Sequence, residues 1–235
     1  MTKVAIVTGA GKGIGKAIAL ALAREGLDIV LAARTQKDID ETAAQIEQLG
    51  GKAFSVRCDV SNERDVQQLV SKTKERFGRI DMLVNNAGVG VFAPVAEMKP
   101  SDFDTMWGTN MRGTFLCTQA VLPVMQEQKS GDIINIASLA GRNAFKGGAG
   151  YAATKWAMIG FARCLMLEVR EHNIRVVTIC PGSVDTEFHP ESTKNKDTSR
   201  VPKAADIAQV IVDAMNMPRH VMVSEIDVRP TNPNW

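Results

Sequence analysis

Thr8-Gly9-Ala10-Gly11-Lys12-Gly13-Ile14-Gly15 stands between a short β-branched run, Val4–Thr8, and a stretch of helical periodicity that begins near residue 14. Backbone N–H groups at a helix start, reinforced by the helix dipole, favour an anion such as a pyrophosphate, and so tight a turn selects glycine. Gly9, Gly13 and Gly15 follow a G-x-x-x-G-x-G spacing, with Gly11, Lys12 and Ile14 completing the surface that would face the phosphates. A βα turn with no ligand would also select glycine. Position favours the nucleotide, because the segment occupies the first βα junction and a second strand ends about twenty residues later, where a ribose-reading group belongs.

Outward from this turn, short apolar runs alternate with longer amphipathic stretches, the mark of βαβ units and a parallel sheet. Strands are predicted at Val4–Thr8, Asp28–Ala33, Ala53–Arg57, Met82–Asn85, Asp132–Ala137, Arg175–Cys180 and Val221–Val228. Helices are predicted near 14–25, 37–49, 62–77, 102–127, 150–171 and 204–216. Gly50–Gly51 suits a left-handed helix end, Ser61 suits an N-cap, and Ser101 with Asp104 resembles a capping box. The strands read as continuous apolar runs, so helices should cover both faces. The expectation is an α/β, Rossmann-type three-layer sandwich with a seven-stranded, mostly parallel, doubly wound sheet, forming one domain over residues 1–235. The one long polar stretch, residues 183–203, reads as a substrate lid.

The second strand ends Leu31-Ala32-Ala33-Arg34, with no carboxylate to bind a ribose 2′-hydroxyl and reject a 2′-phosphate. Arg34 suits that phosphate, and Lys12 in the glycine turn could reach the same group. NADPH is therefore expected over NADH. For either cation alone, the alternative is a solvated surface charge.

Composition narrows the function classes. The formal net charge of +2 comes from 28 basic and 26 acidic residues, with no basic run to track a phosphate backbone, so no nucleic-acid partner is expected. No apolar stretch approaches the roughly 20 residues that span a bilayer. Cys58, Cys117, Cys164 and Cys180 form no CxxC pair and read as small core residues of a reducing compartment. His172, His189 and His220 lack metal-site spacing, so no metal is expected. Met1 to Val7 runs directly into a strand, which leaves no room for a signal peptide and predicts a cytoplasmic protein.

Tyr151 and Lys155 lie four apart and so share a helix face, where an ammonium would stabilise a phenolate. A phenol with an unperturbed pKa near 10 is a poor base at neutral pH, and a neighbouring cation lowers it. Ser138 precedes Tyr151 by thirteen residues, enough for a loop at a strand end to return its hydroxyl beside the phenol.

Taken together, the glycine turn, Asn85-Asn86-Ala87-Gly88, Asn110, Ser138 and Tyr151-Ala-Ala-Thr-Lys155 strongly resemble the short-chain dehydrogenase/reductase family, over essentially the whole chain. The resemblance implies hydride transfer between NADPH and a small carbonyl or alcohol, with Tyr151 as acid/base and Ser138 polarising the carbonyl. It gives Lys155 the nicotinamide ribose as well as the phenol, and Asn110 a water held against Lys155. It also implies cofactor contacts from Asn86, Ala87 and Gly88, from Asp59 and Val60 beside the adenine, and from Pro181, Gly182, Val184 and Thr186 at the nicotinamide. Asp59 is equally suited to capping the helix at Ser61, and Pro181-Gly182 to a plain turn.

Within the family, 3-oxoacyl-carrier-protein reductases are one likeness, although of the two long-helix ends only Lys129 is clearly basic. The ending Ser224-Glu-Ile-Asp-Val-Arg-Pro-Thr-Asn-Pro-Asn-Trp235 looks more like the sepiapterin reductase-like and serine-dehydrogenase-like branch. The polar lid, with Glu187, Glu191, Lys194, Lys196, Asp197 and Arg200, favours a small or polar substrate lined by 139–150 and the Phe92 loop. Helices 102–127 and 150–171, carrying Met106, Phe115, Leu116, Phe161, Leu165 and Met166, imply a homodimer or homotetramer. The alternative is a non-catalytic NADP-binding sensor or scaffold, but such proteins typically lose a catalytic residue and none is missing.

Overall fold

A computed structural model of the chain describes residues 2–188 and 200–231. Its elements run β1 (Val4–Thr8), α1 (Gly13–Arg24), β2 (Asp28–Ala33), α2 (Gln36–Gln48), β3 (Ala53–Arg57), α3 (Glu63–Phe77) and β4 (Met82–Asn85). They continue α4 (Pro100–Met106), α5 (Gly113–Gln128), β5 (Gly131–Ile136), α6 (Ala149–Val169), β6 (Ile174–Pro181), α7 (Ala204–Asn216) and β7 (Glu225–Val228). The seven strands form one sheet in the order β3-β2-β1-β4-β5-β6-β7, and every pairing is parallel.

Successive strand residues point to opposite faces and feed two cores. Ile6, Val30, Leu83 and Ile133 pack with Leu69 of α3, Val121 of α5 and Leu165 of α6. Val7, Leu31, Val84 and Ile134 pack with Ile18 of α1, Ile39 of α2 and Ile211 of α7. This two-sided burial explains the continuous apolar strands and gives the three layers expected. Because β1 lies between β2 and β4, the winding reverses there, and a crevice opens beyond the carboxyl ends of the strands at that switch point.

Several boundaries differ from the sequence reading. The cap of α3 is Asn62, not Ser61: the Asn62 side chain accepts from Arg64 N at 2.9 Å and Asp65 N at 3.4 Å. Helix α4 starts at Pro100 with Lys99 at the cap position and no side-chain cap, so the Ser101–Asp104 box does not form. Gly50 takes the left-handed conformation, φ +80°, after α2. The stretch predicted as one helix over 102–127 is α4, a π-helical segment Trp107–Arg112, and α5. β7 starts at Glu225, four residues later than predicted. Of the cysteines, Cys58, Cys117 and Cys180 are buried, whereas Cys164 is exposed. Burial pushes the Cys58 thiol up to about 12 and raises those of Cys117 and Cys180. Among the described residues no helix is long and apolar enough to cross a membrane.

Candidate functional site

The glycine turn lies at the crevice and is packed too tightly for side chains. Gly9 has φ +64°, and a Cβ there would stand 2.8 Å from the Asn86 side-chain nitrogen and 3.0 Å from Ala87 Cα. A Cβ on Gly15 would run into the Gly9 carbonyl, and one on Gly11 would lie 2.6 Å from Asp38 Cβ. Asn86 organises this packing by donating from its amide to Thr8 O at 2.9 Å and Gly9 O at 3.3 Å. Thr8 Oγ1 accepts from the backbone N–H groups of Asn86 and Ala87, both at 3.0 Å, and donates to Val84 O. Asn86 and Ala87 thus shape the turn itself. Thr8 is a site-building residue to which the sequence reading assigned no role, although it ends β1 directly before the glycines.

Helix α1 begins without a side-chain cap and without an acidic residue in its first turn. Lys12, at the cap position, leaves the N-terminal N–H groups without side-chain acceptors, and Gly13 and Ile14 follow, each partly exposed. Such an end fits an external anion, and it is the observation on which a dinucleotide pyrophosphate fits this chain.

Arg34 is exposed just beyond β2, and its carbonyl accepts from Arg57 Nε at 3.2 Å, so a second guanidinium stands beside it. The sequence reading missed Arg57; its signal was its place at the end of the neighbouring strand, where Ala33 and Arg57 are register partners. Lys12 faces Glu187 at 3.7 Å across largely exposed side chains. Asp59 accepts from Ser61 N at 3.0 Å and Ser61 Oγ at 2.7 Å, the local capping role that competed with adenine contact. Val60 is buried against Gly113.

The segment after β6 returns over the turn. Gly182 N donates to Val228 O at 2.8 Å, following Pro181 at the end of β6, and Val184 is buried. A Cβ on Gly13 would lie 3.7 Å from Thr186 Cβ, so the turn and the Pro181–Thr186 segment lie side by side.

Tyr151 and Lys155 share the inner face of α6, only 7 % and 4 % exposed. Burial pushes the phenol up to about 12, opposed in part by a hydrogen bond with Ser138. Ser138 Oγ also accepts from Ala140 N at 3.1 Å and donates to Pro181 O at 3.4 Å. Lys155 Nζ donates to Ile136 O at 2.8 Å, 5.7 Å from the Tyr151 ring centroid, and burial lowers it to about 8. This corrects the expected electrostatics. In the free chain both groups are desolvated, each loses stability in its charged form, and the ammonium does not hold the phenol below its ordinary value.

Asn110 is fully buried in the π-helical segment. Its Oδ1 accepts from Val89 N at 2.8 Å, and its Nδ2 donates to Val89 O at 2.9 Å and Thr154 Oγ1 at 3.0 Å. Thr154 in turn donates to Tyr151 O at 2.7 Å. The side-chain amide therefore ties the loop after β4 to α6, and its polar contacts are to protein. A Cβ on Gly88 would lie 3.4 Å from Asn110 Oδ1 and 3.8 Å from Lys155 Nζ, so these three stand close together.

The sequence reading named the Phe92 loop and the 183–203 stretch as pocket lining but neither of the following sets of contacts. Phe92 and Phe188 pack on the Tyr151 ring, with centroids at 5.4 and 5.9 Å. Glu225 of β7 binds Arg163 of α6 at 2.6 Å and also pairs with Arg142, while Arg142 Nε binds Asp227 at 3.0 Å. Arg142 follows the short 3-10 turn that Ser138 caps, so this clamp secures the Ser138 loop and α6 to the sheet edge.

A family model described as short chain dehydrogenase matches residues 3–197. An uncharacterized oxidoreductase of Staphylococcus aureus (strain USA300) is 38% identical over 228 residues, 97% of each chain. A sepiapterin reductase of Chlorobaculum tepidum is 35% identical over 239 residues, covering 99% of this chain and 98% of its own. Among solved structures, an alcohol dehydrogenase from the archaeon Thermococcus sibiricus complexed with 5-hydroxy-NADP superposes with a TM-score of 0.90 at 31% identity, covering 100% of both chains. A metagenomic short-chain oxidoreductase in complex with NADP gives 0.86 at 36%, covering 98% of this chain and 97% of that one.

Proposed function

Because the chain belongs to the short-chain dehydrogenase/reductase family, we propose that this oxidoreductase is an NADPH-dependent carbonyl reductase, the reverse reaction being alcohol oxidation. The observation that carries the reading is a buried phenol, Tyr151, one helical turn from a buried Lys155 and with its proton affinity lowered in part by Ser138.

Raised to about 12, the phenol keeps its proton at neutral pH, as reduction requires. A reduced nicotinamide, when bound, would supply the hydride. As the carbonyl oxygen gains charge, Tyr151 Oη gives it the proton and Ser138 Oγ donates a second hydrogen bond, so that the sum is one carbonyl, one hydride and one proton to one alcohol. The Lys155 ammonium would hold the nicotinamide ribose, and Asn110 positions α6 beside Gly88. Ile14, Gly15 and their neighbours in the turn would hold the pyrophosphate, and Val184 and Thr186 would border the nicotinamide.

Cofactor choice rests on Arg34, with Arg57 beside it, and on the missing carboxylate at the end of β2. The NADP complexes among the solved relatives point the same way. No catalytic position is lost, so nothing favours a sensor. The sepiapterin reductase likeness favours a reductase of a small carbonyl compound over one that needs an acyl carrier.

A homo-oligomer built on α5 and α6 is also proposed. Met106, Leu116 and Leu165 face the chain's own core, but Phe115 is 41% exposed and packs edge-on against Phe161, and Trp156 and Leu167 are 55% and 57% exposed. Light scattering at micromolar concentration should give a multiple of 25.4 kDa; a monomer would contradict it.

The test of the activity is nicotinamide absorbance with a panel of aldehydes, diketones, pterins and 3-oxoacyl thioesters. Tyr151→Phe should bind NADPH nearly as the wild type does and lose about two to four orders of magnitude in turnover. Undiminished turnover in that variant would refute the mechanism.

A further inference from the structure

We propose that the substrate carries a flat, uncharged aromatic ring next to its carbonyl, held between Phe92 and Phe188. This rests on the carbonyl-reductase reading above and specifies the compound that the site accepts. The chain has eight phenylalanines and a single tyrosine, and two of the eight pack on that tyrosine with a third behind them. Phe92 meets Tyr151 nearly edge-on, with an interplanar angle of 69°, Phe188 meets it tilted at 49°, and Phe145 extends the group by packing on Phe92 at 5.9 Å. They come from three separate segments, after β4, between β5 and α6, and after β6.

These rings are not core. Phe92, Phe145 and Phe188 are 36%, 46% and 41% exposed, whereas the ring they surround is 7% exposed. Apolar surface of this kind, collected at a reactive group, marks a binding wall. Gly90 lets the wall form: a Cβ there would stand 3.0 Å from Phe188 Cζ and 3.1 Å from Phe92 Cζ, so both ring tips rest on this glycine where a side chain would push them away. Inclined rings offer a planar guest a face and an edge together, the geometry that aromatic pairs prefer. Each such pair is worth about a two- to tenfold preference over an aliphatic group of equal size.

Charge argues in the same direction. Among the described residues, the cation that reaches the Tyr151 ring is Lys155, 4% exposed and bound to the Ile136 carbonyl, so a substrate carboxylate would meet phenyl walls there. The charged Glu191, Lys194, Lys196 and Asp197 of the expected polar lid lie outside the described residues, and among the described residues of that stretch the one that packs on the phenol ring is Phe188.

The experiment compares 1-phenylpropan-2-one with 1-cyclohexylpropan-2-one, which share carbonyl reactivity and approximate size, and adds an acyclic 3-oxo acid. With NADPH, kcat/KM should be at least tenfold higher for the phenyl ketone than for either other compound, with the difference in KM. Phe92→Leu and Phe188→Leu should each cut that preference to about threefold or less while the NADPH affinity and the melting temperature hold, which certifies the fold. Equal or reversed preference in the wild type, or a preference that survives both substitutions, overturns the aromatic assignment and leaves carbonyl reduction standing. No NADPH oxidation with any of the three, or with the wider carbonyl panel, overturns both.

Discussion

Helices α1 and α6 both serve the crevice, and they do so with different parts of the chain. α1 contributes its end: an uncapped N-terminus with no acid in the first turn, behind glycines whose missing Cβ atoms let Asn86 and the Gly9 carbonyl press close. α6 contributes its flank, with Tyr151, Thr154 and Lys155 turned inward and buried. An end made of backbone N–H groups recognises a phosphate through fixed geometry and dipole, with no titrating group. A flank made of side chains does proton chemistry, and its behaviour depends on how burial moves each group's proton affinity. On the proposed assignment, holding the nucleotide is thus separated from acting on the substrate.

Lys155 is the group asked to serve both sides, so its loss should break the separation most severely. Lys155→Met should lower turnover by two orders of magnitude or more and also weaken NADPH binding, whereas Tyr151→Phe should affect turnover alone; parallel titrations and rates distinguish them. Lys155 is also pH-sensitive. Burial lowers it to about 8, so the ammonium is present below that pH and lost above it, and wild-type kcat/KM for reduction should fall as pH rises through about 8. A profile flat from pH 6 to 10 would count against the assigned role.

On the nucleotide side, NADPH should bind at least tenfold more tightly than NADH, about 1.4 kcal/mol, and Arg34→Ala should remove most of that preference with little effect on kcat at saturation. Calorimetry with both cofactors decides it, and equal wild-type affinities would sink the assignment.

On the substrate side, the smallest effect belongs to the Glu225 clamp. Hydrogen bonds from Arg163 first, and from Arg142, hold the Glu225 carboxyl at about 2, below its ordinary 4.5. Between those values the folded chain binds fewer protons than the unfolded one, so the clamp's contribution is complete above about pH 4.5 and disappears as pH falls through about 2. Glu225→Gln should lower Tm by about 2–4 °C at pH 6, the equivalent of about 1 kcal/mol in a chain of this size, and the gap should narrow on acidification. A gap that stays constant down to pH 3 would assign the loss to packing instead.

The sequence reading was strongest where the signal is local. Four strands were placed at their observed limits and the glycine turn at its junction, because hydrophobic period and glycine spacing act over a few residues. It failed where neighbours compete. Ser61 and Asn62 are both good caps, and Asp59 engages the serine, leaving the asparagine for the helix. The predicted single helix over 102–127 opens into a π-helical segment at Asn110, where the side chain is drawn to Val89 and Thr154. That demand comes from other elements, and no periodicity in the segment reveals it.

By itself the sequence determined the alternation that makes a parallel sheet, the turn that only glycine can make, and a tyrosine and a lysine four apart on one helix face. These follow from covalent geometry and short-range sterics. The tertiary structure alone decided which distant groups meet: Phe92 and Phe188 at Tyr151, with Phe145 on Phe92, Arg57 beside Arg34, and Glu225 against Arg142 and Arg163. It also decided the proton affinities of Tyr151 and Lys155, because desolvation is set by everything packed around a group, and most of what surrounds them is far away along the chain.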